Sequence, residues 1–203
     1  MDGMARPARY QADTLLDATR DLILEAGPRA AGIREIARRT GAPSGSLYHR
    51  FGSRDNIVAV AWIRAVRRFQ SGFLKALSVD DPYDAVVGAI RWSAAFAASE
   101  PADTRLLLRF SRDDLMDHEP AQDVVAELAN VNAALEVAVR RLAQRLFGNQ
   151  GDESMERAKY AVIDLPYAVL RRHLLAGSLN GGVTSTLEKA ARAIVRDLWE
   201  VNG

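Results

Sequence analysis

The sequence predicts an all-α protein of about nine helices, with an N-terminal three-helix domain followed by a larger helical domain. Three observations carry this. Apolar residues recur at three- and four-residue steps, as at Leu15/Leu16, Ala18/Thr19, Leu22/Ile23 and Ala26. Strict apolar–polar alternation is almost absent, and few β-branched clusters lie between turn signals. Gly and Pro stand at the joints between periodic stretches, as at Gly27-Pro28, Gly41, Gly52 and Pro82.

The elements follow in order. A first helix is predicted over about Asp13 to Ala26 and stops at Gly27-Pro28. A short second helix covers about Ile33 to Arg39. Its N-cap position holds Gly32, with Glu35 three residues on, which is a weakened capping box. Ile33, Ile36 and Ala37 face inward, and Arg34, Arg38 and Arg39 can face out. Gly41 makes a tight turn, and Pro43 suits the first position of a third helix that runs to about Arg50. Ser53 can cap a long fourth helix that runs to about Leu77, with Asn56 in place of the Glu or Gln of a full box. Val79-Asp80-Asp81-Pro82 is the clearest linker. Helices are then predicted at about Tyr83–Ala98 and Ala102–Phe110, followed by an acidic joint, Ser111–Pro120. A single helix from about Ala121 to Phe147 would be roughly 40 Å long. Two last helices cover about Ser154–Ala176, with a kink expected at Pro166, and Thr184–Val201. The domains read as 1–55, a connecting helix 56–77, and 78–203.

The bulk numbers narrow the function. The chain has 203 residues, 48% hydrophobic and 26% charged, and no Cys. That excludes a disulfide framework and thiolate metal sites. The N-terminal MDGMARPARYQAD has no apolar stretch of signal-peptide length, and no run of about 18 apolar residues appears. A cytoplasmic protein is expected. Residues 1–75 hold 13 Lys/Arg against 7 Asp/Glu, whereas residues 76–203 hold 14 against 19. A basic N-terminal third on an acidic body points to a polyanionic partner.

Helix, small-residue turn, helix is the order of a helix-turn-helix, whose second helix enters the DNA major groove. Ser44, Gly45 and Ser46 give low bulk at the start of that helix. Tyr48 offers a ring and a hydroxyl, His49 and Arg50 sit beside it, and Arg50 and Arg54 can meet phosphates or, for Arg50, a guanine edge. Arg34 can reach backbone or base. Leu47 and Phe51 anchor the helix to the small core.

The stretch GIREIARRTGAPSGSLYHRFGSRDNI resembles the DNA-binding signature of TetR-type (tetracycline-repressor-like) transcriptional regulators, a pattern close to IA..AGVS.GTLY.HF.SKE.L. Ile36-Ala37, Gly41, Gly45-Ser46-Leu47-Tyr48, Phe51, Ser53-Arg54 and Ile57 carry the match. Pro43 stands where Ser or Thr is usual, and Arg50 where His is common. The resemblance implies a homodimer that binds a palindromic operator on double-stranded DNA and is released by a small, hydrophobic effector. It also implies a dimer bundle built by the last two helices. Ile163, Tyr167, Leu170 and Leu174 form one apolar stripe there, and Leu187, Ala191, Ile194 and Leu198 another. The stripes also fit plain closure of the monomer core. An effector pocket is expected among Trp92, Phe96, Leu107, Phe110 and Met116, residue types that also serve as plain core.

Other chemistry finds little footing. Asp113/Asp117 and Asp114/His118 are spaced to share a helix face, but such runs are commonly solvated helix starts, and no metal is expected. His173 beside Arg171-Arg172 reads as a surface or interface residue. There is no phosphate-binding Gly-rich loop and no nucleophile elbow, so neither an enzyme nor a cofactor is expected. An activator, a global DNA-binding protein and a regulator answering to a protein partner remain open at this stage.

Overall fold

The computed structural model describes residues 8–111, 114, 120–178 and 180–196. Its helices are α1 (Ala8–Ala26), α2 (Ile33–Thr40), α3 (Ser44–Phe51), α4 (Arg54–Leu77), α5 (Pro82–Ser99), α6 (Pro101–Arg109), α7 (Gln122–Asn130), α8 (Ala133–Phe147), α9 (Asp152–Lys159), α10 (Leu165–Leu175) and α11 (Gly181–Val195). A 3-10 turn, Pro28–Ala30, precedes α2, and a π-helical turn, Tyr160–Asp164, joins α9 to α10. No strand occurs among the described residues.

The helix starts have local causes. Asp81 caps α5 by accepting from Asp84 N–H at 2.8 Å, with Pro82 at the first helical position. Asn180 caps α11, its Oδ1 accepting from Gly182 and Val183 N–H. Pro43 lies one residue before α3 rather than at its first position.

The long helix expected over 121–147 is two helices. The ladder of apolar residues continues, but Asn130 and Asn132 interrupt the backbone. Asn130 Nδ2 folds back to Ala126 O at 2.8 Å, and Asn132 Oδ1 accepts from Gln70 Nε2 at 3.0 Å. The Asn130 amide thus competes for a helical carbonyl, whereas Asn132 ties the start of the second helix to α4. The disturbance expected at Pro166 takes the form of the π turn just ahead of it. Leu165 N–H bonds Tyr160 O, which resets the ladder before the proline, whose nitrogen has no hydrogen to donate.

The chain forms two compact units. One is Met1–Val66 with Ala102–Val131; the other is Arg67–Pro101 with Asn132–Gly203. This differs from the serial division at residues 55 and 77, because α6 and α7 fold back onto the N-terminal core. Leu106 of α6 is fully buried with Leu16, Ile23, Ile36, Leu47 and Ile57. Val124 and Leu128 of α7 pack on Ala59 and Ile63 of α4. A buried ion pair adds to this: Arg20 Nη1 of α1 lies 2.7 Å from Asp103 Oδ1 of α6, with the Asp103 side chain 1% exposed. Arg20 also meets Asp17 and Asp21, and Asp17 in turn accepts from Arg64 Nη2 of α4 at 2.5 Å.

In the second unit, Phe73 and Leu77 of α4, Ile90 of α5, Leu142 of α8, Val162 and Leu187 build the core. Phe69 stacks on Phe73 and meets Phe96 edge-on. Trp92 donates its Nε1–H to Phe69 O at 2.8 Å and lies over Gly72, where a Cβ would come within 2.4 Å of the ring. Arg157 stacks over Phe147, 4.4 Å from the ring centroid, and donates to the carbonyls of Ile194 and Arg196 at the end of α11.

Candidate nucleic-acid interface

The site is built on two turns that need glycine. Gly41 ends α2 at φ +71°, and Gly52 ends α3 at φ +74°, both in the left-handed region. Between them α3 splits cleanly by face. Leu47 is fully buried, and Phe51 packs on the same N-terminal core. Gly45, Ser46, Tyr48, His49 and Arg50 are exposed, with Ser44 half-buried. Tyr48 keeps 51% of its surface in solvent. The Arg50 guanidinium lies 5.6 Å from the Phe51 ring centroid. A Cβ placed on Gly45 would meet nothing within 4 Å, so the fold itself does not require glycine there.

The three arginines of α2 differ. Arg38 pairs with Glu35 on its own helix at 2.5 and 2.9 Å. Arg39 reaches back to α1 and grips Glu25 at 2.5 and 3.0 Å. These hydrogen bonds hold the Glu25 and Glu35 carboxyls below the ordinary glutamate range. Arg34 is exposed at the second position of α2 and has no ion pair among the described residues. Glu35 therefore serves Arg38 rather than a capping box at Gly32.

The first turn of α4 closes the site. Ser53 caps it, accepting from Asn56 N–H at 3.1 Å, as the sequence reading expected. Arg54 does not stand on the open face: its side chain is 18% exposed, donates from Nη2 to Pro28 O at 2.5 Å, and pairs with Asp55. Sequence reasoning missed these tertiary engagements. It also missed the Glu25–Arg39 clamp and the side-chain bonds of Asn56, which donates to Phe51 O and accepts from Ala121 N–H. The one available signal was a Ser53 cap without Glu or Gln three residues later.

The remaining sequence-predicted residues are dispersed. Trp92 and Phe96 join the aromatic group of the second unit, whereas Leu107 and Phe110 pack on the N-terminal core. Met116 lies outside the described residues. Of the two apolar stripes, Leu170, Leu187 and Ala191 are buried within their own unit and help close its core. Ile163, Leu174 and Ile194 are half-buried against the same core. Among the described stripe residues Tyr167 faces solvent, and Tyr160 of the π turn is also exposed. Leu198 lies outside the described residues. A groove of about 480 Å³ runs between α10 and α11, lined by Leu165, Val169, Val183 and Leu187, with Arg172 and His173 at its side. His173 Nδ1 lies 2.9 Å from Ser178 Oγ. Asp114 is bound by Ser111 through its N–H and hydroxyl, which lowers its carboxyl pKa. Asp113, Asp117 and His118 lie outside the described residues. No group of three metal-binding side chains occurs among the described residues. No described helix is long and apolar enough to cross a membrane.

Two short helices around a glycine turn, with an apolar edge locked into a core and a polar edge left open, form a helix-turn-helix, the motif whose second helix can enter a DNA groove. Comparison narrows the class. Residues 15–61 match the profile of the bacterial regulatory proteins, tetR family. The HTH-type transcriptional regulator AlkX of Mycobacterium tuberculosis is 29% identical over 106 residues, which is 51% of this chain and half the length of that protein. The fold is that of a TetR-like transcriptional regulator from Rhodococcus sp. RHA1, with a TM-score of 0.68 at 18% identity over 95% of this chain and 96% of that one. It is also that of the fatty acid degradation regulator FadR from Bacillus halodurans, with a TM-score of 0.70 at 13% identity over 92% and 98%. FadR from Bacillus subtilis, solved in complex with stearoyl-CoA, gives 0.69 at 10% identity over 91% and 97%. The N-terminal segment is thus similar to the DNA-binding part of tetR-family regulatory proteins, and the fold is that of solved TetR-like regulators.

Proposed function

We propose that the chain is a ligand-responsive repressor that binds a palindromic operator as a homodimer and leaves it when a small hydrophobic effector binds. The observation that carries this is the open face of α3, where Tyr48, His49 and Arg50 stand exposed over an anchored Leu47. Gly45, Ser46 and Tyr48 face bases or phosphates, and Ser44 and Arg34 flank them. Arg50 supplies a charge-assisted phosphate contact. Arg54 holds the reading head together through Pro28 O and Asp55 in the free chain. One short helix covers only a few base pairs, so two copies are needed, with reading helices about 34–36 Å apart or a multiple of that. Tyr160 and Tyr167, exposed on the π turn and on α10, suit the dimer contact better than the buried stripe residues. The likeness in fold to a FadR solved with stearoyl-CoA supports a hydrophobic effector.

The test is an anisotropy titration of the full chain against duplex DNA from its own upstream region, at two salt concentrations, with nonspecific competitor. Saturable binding that survives competitor, and that Tyr48→Ala weakens without lowering the melting temperature, supports the reading. Equal affinity for unrelated duplexes points instead to a global DNA-binding protein.

A further inference from the structure

A capping box needs a Glu or Gln at the third helical position to answer the cap residue's N–H. In α4 that position holds Asn56, which is too short to do so. The structure turns its amide elsewhere. Nδ2 donates to Phe51 O, the last residue of α3, at 2.7 Å. Oδ1 accepts from the main-chain N–H of Ala121, the residue that opens α7, at 2.8 Å. Both partners are main-chain atoms, so the amide registers the positions of two helix ends. Its orientation follows from them: a carbonyl requires a donor and an N–H an acceptor. Farther along α4, Ala59 and Ile63 hold Val124 and Leu128, so α7 and α3 are referred to one helix.

We propose that Asn56 is a positioning residue for DNA binding: it fixes the C-terminal end of α3 against the start of α7, so that the pose of the reading helix depends on where α7 begins. The inference rests on the DNA-binding reading. Asn56 acts through Phe51 and makes no phosphate contact of its own. A displacement at the start of α7 then reaches the reading helix through one side chain, without passing along the length of α4.

The test uses the full-length chain and the upstream duplex, titrated over a range of salt concentrations. Asn56→Ala should bind about tenfold more weakly, the loss expected from about 1.4 kcal/mol. Its slope of log affinity against log salt should equal that of the wild type, because no counterion-releasing contact is lost. Amide hydrogen exchange in α3 should quicken. Asn56→Gln keeps an amide but carries it one methylene farther from Phe51 O and Ala121 N–H, so it should keep the melting temperature, yet bind as weakly as Asn56→Ala. Val139→Ala, a cavity in the core of the second unit, should lower the melting temperature and bind DNA normally. Wild-type affinity in either Asn56 variant overturns the inference, as does a salt slope reduced by about one unit, the mark of a direct phosphate contact. A wild type without specific binding overturns the DNA-binding reading as well, and so the two failures can be told apart.

Discussion

Replacing Asp103 tests how firmly α6 is tied to the DNA-reading unit. Its carboxylate is 1% exposed and 2.7 Å from Arg20 Nη1, and the Arg20 side chain is 13% exposed. Breaking a fully buried ion pair costs about 3–5 kcal/mol, chiefly because the partner's charge is stranded. Here Arg20 retains Asp17 at 3.1 Å and Asp21 at 3.0 Å, both more than a third exposed. The charge is therefore not stranded, and the expected cost of Asp103→Ala falls to about 2 kcal/mol. For a chain of this length that lowers the melting temperature by about 4–8 °C. Arg20→Met should cost at least as much, since it takes the closest cation from a carboxylate sealed from water. The double variant Arg20→Met/Asp103→Leu replaces the pair with apolar volume and should recover most of the loss. Calorimetric melts of the wild type, Arg20→Met, Asp103→Leu and the double variant close a double-mutant cycle. Single variants within about 1 °C of the wild type, or losses that simply add, would refute the reasoning.

Gly45→Ala should leave the melting temperature unchanged or raise it slightly, because the new methyl meets nothing and alanine favours the helix by up to about 1 kcal/mol. The same variant should weaken specific DNA binding in the anisotropy titration; equal affinity would mean that α3 does not approach DNA by its N-terminal turn. Gly72→Ala drives a methyl into the Trp92 ring, so about 2 kcal/mol of stability and the bond to Phe69 O should be lost, with a red shift in tryptophan emission. Unshifted emission and an unchanged melt would count against that packing. Glu25 has a folded-state pKa below its ordinary value near 4.5, so the unfolded chain binds the proton more readily. The clamp on Arg39 therefore stabilises the fold above that value and is lost as pH falls through the folded pKa. Denaturant midpoints measured across acid pH should fall less steeply in Arg39→Met than in the wild type.

The reading head was legible because its determinants are local. Gly41 and Gly52 announce backbone that favours glycine, Ser53 announces a cap, and Leu47 and Phe51 sit four residues apart on one face of α3. The failures arose where distant chain intervenes. An amphipathic stripe reveals that a face is buried and not what buries it; Leu170, Leu187 and Ala191, read as dimer contacts, are buried within a single chain. Leu107 and Phe110 look like pocket walls in sequence, but Leu106 beside them carries α6 onto the N-terminal unit. Arg54 looks like a phosphate ligand until Pro28, 26 residues away, offers it a carbonyl. The break between α7 and α8 was missed because periodicity weighs apolar residues, whereas the interruption comes from two asparagine side chains.

The fold-back of α6 and α7 also bears on modularity. Two-unit chains with a terminal helix-turn-helix invite domain grafting, with the cut placed just after that motif. In this chain such a cut would strip Leu106, Val124 and Leu128 from the core and leave Ile57, Ala59 and Ile63 facing water. The transplantable part is discontinuous in sequence: residues 1–66 travel with 102–131 or not at all. A chimaera that respects this boundary keeps its reading head whole, and one cut at the linker before α5 does not.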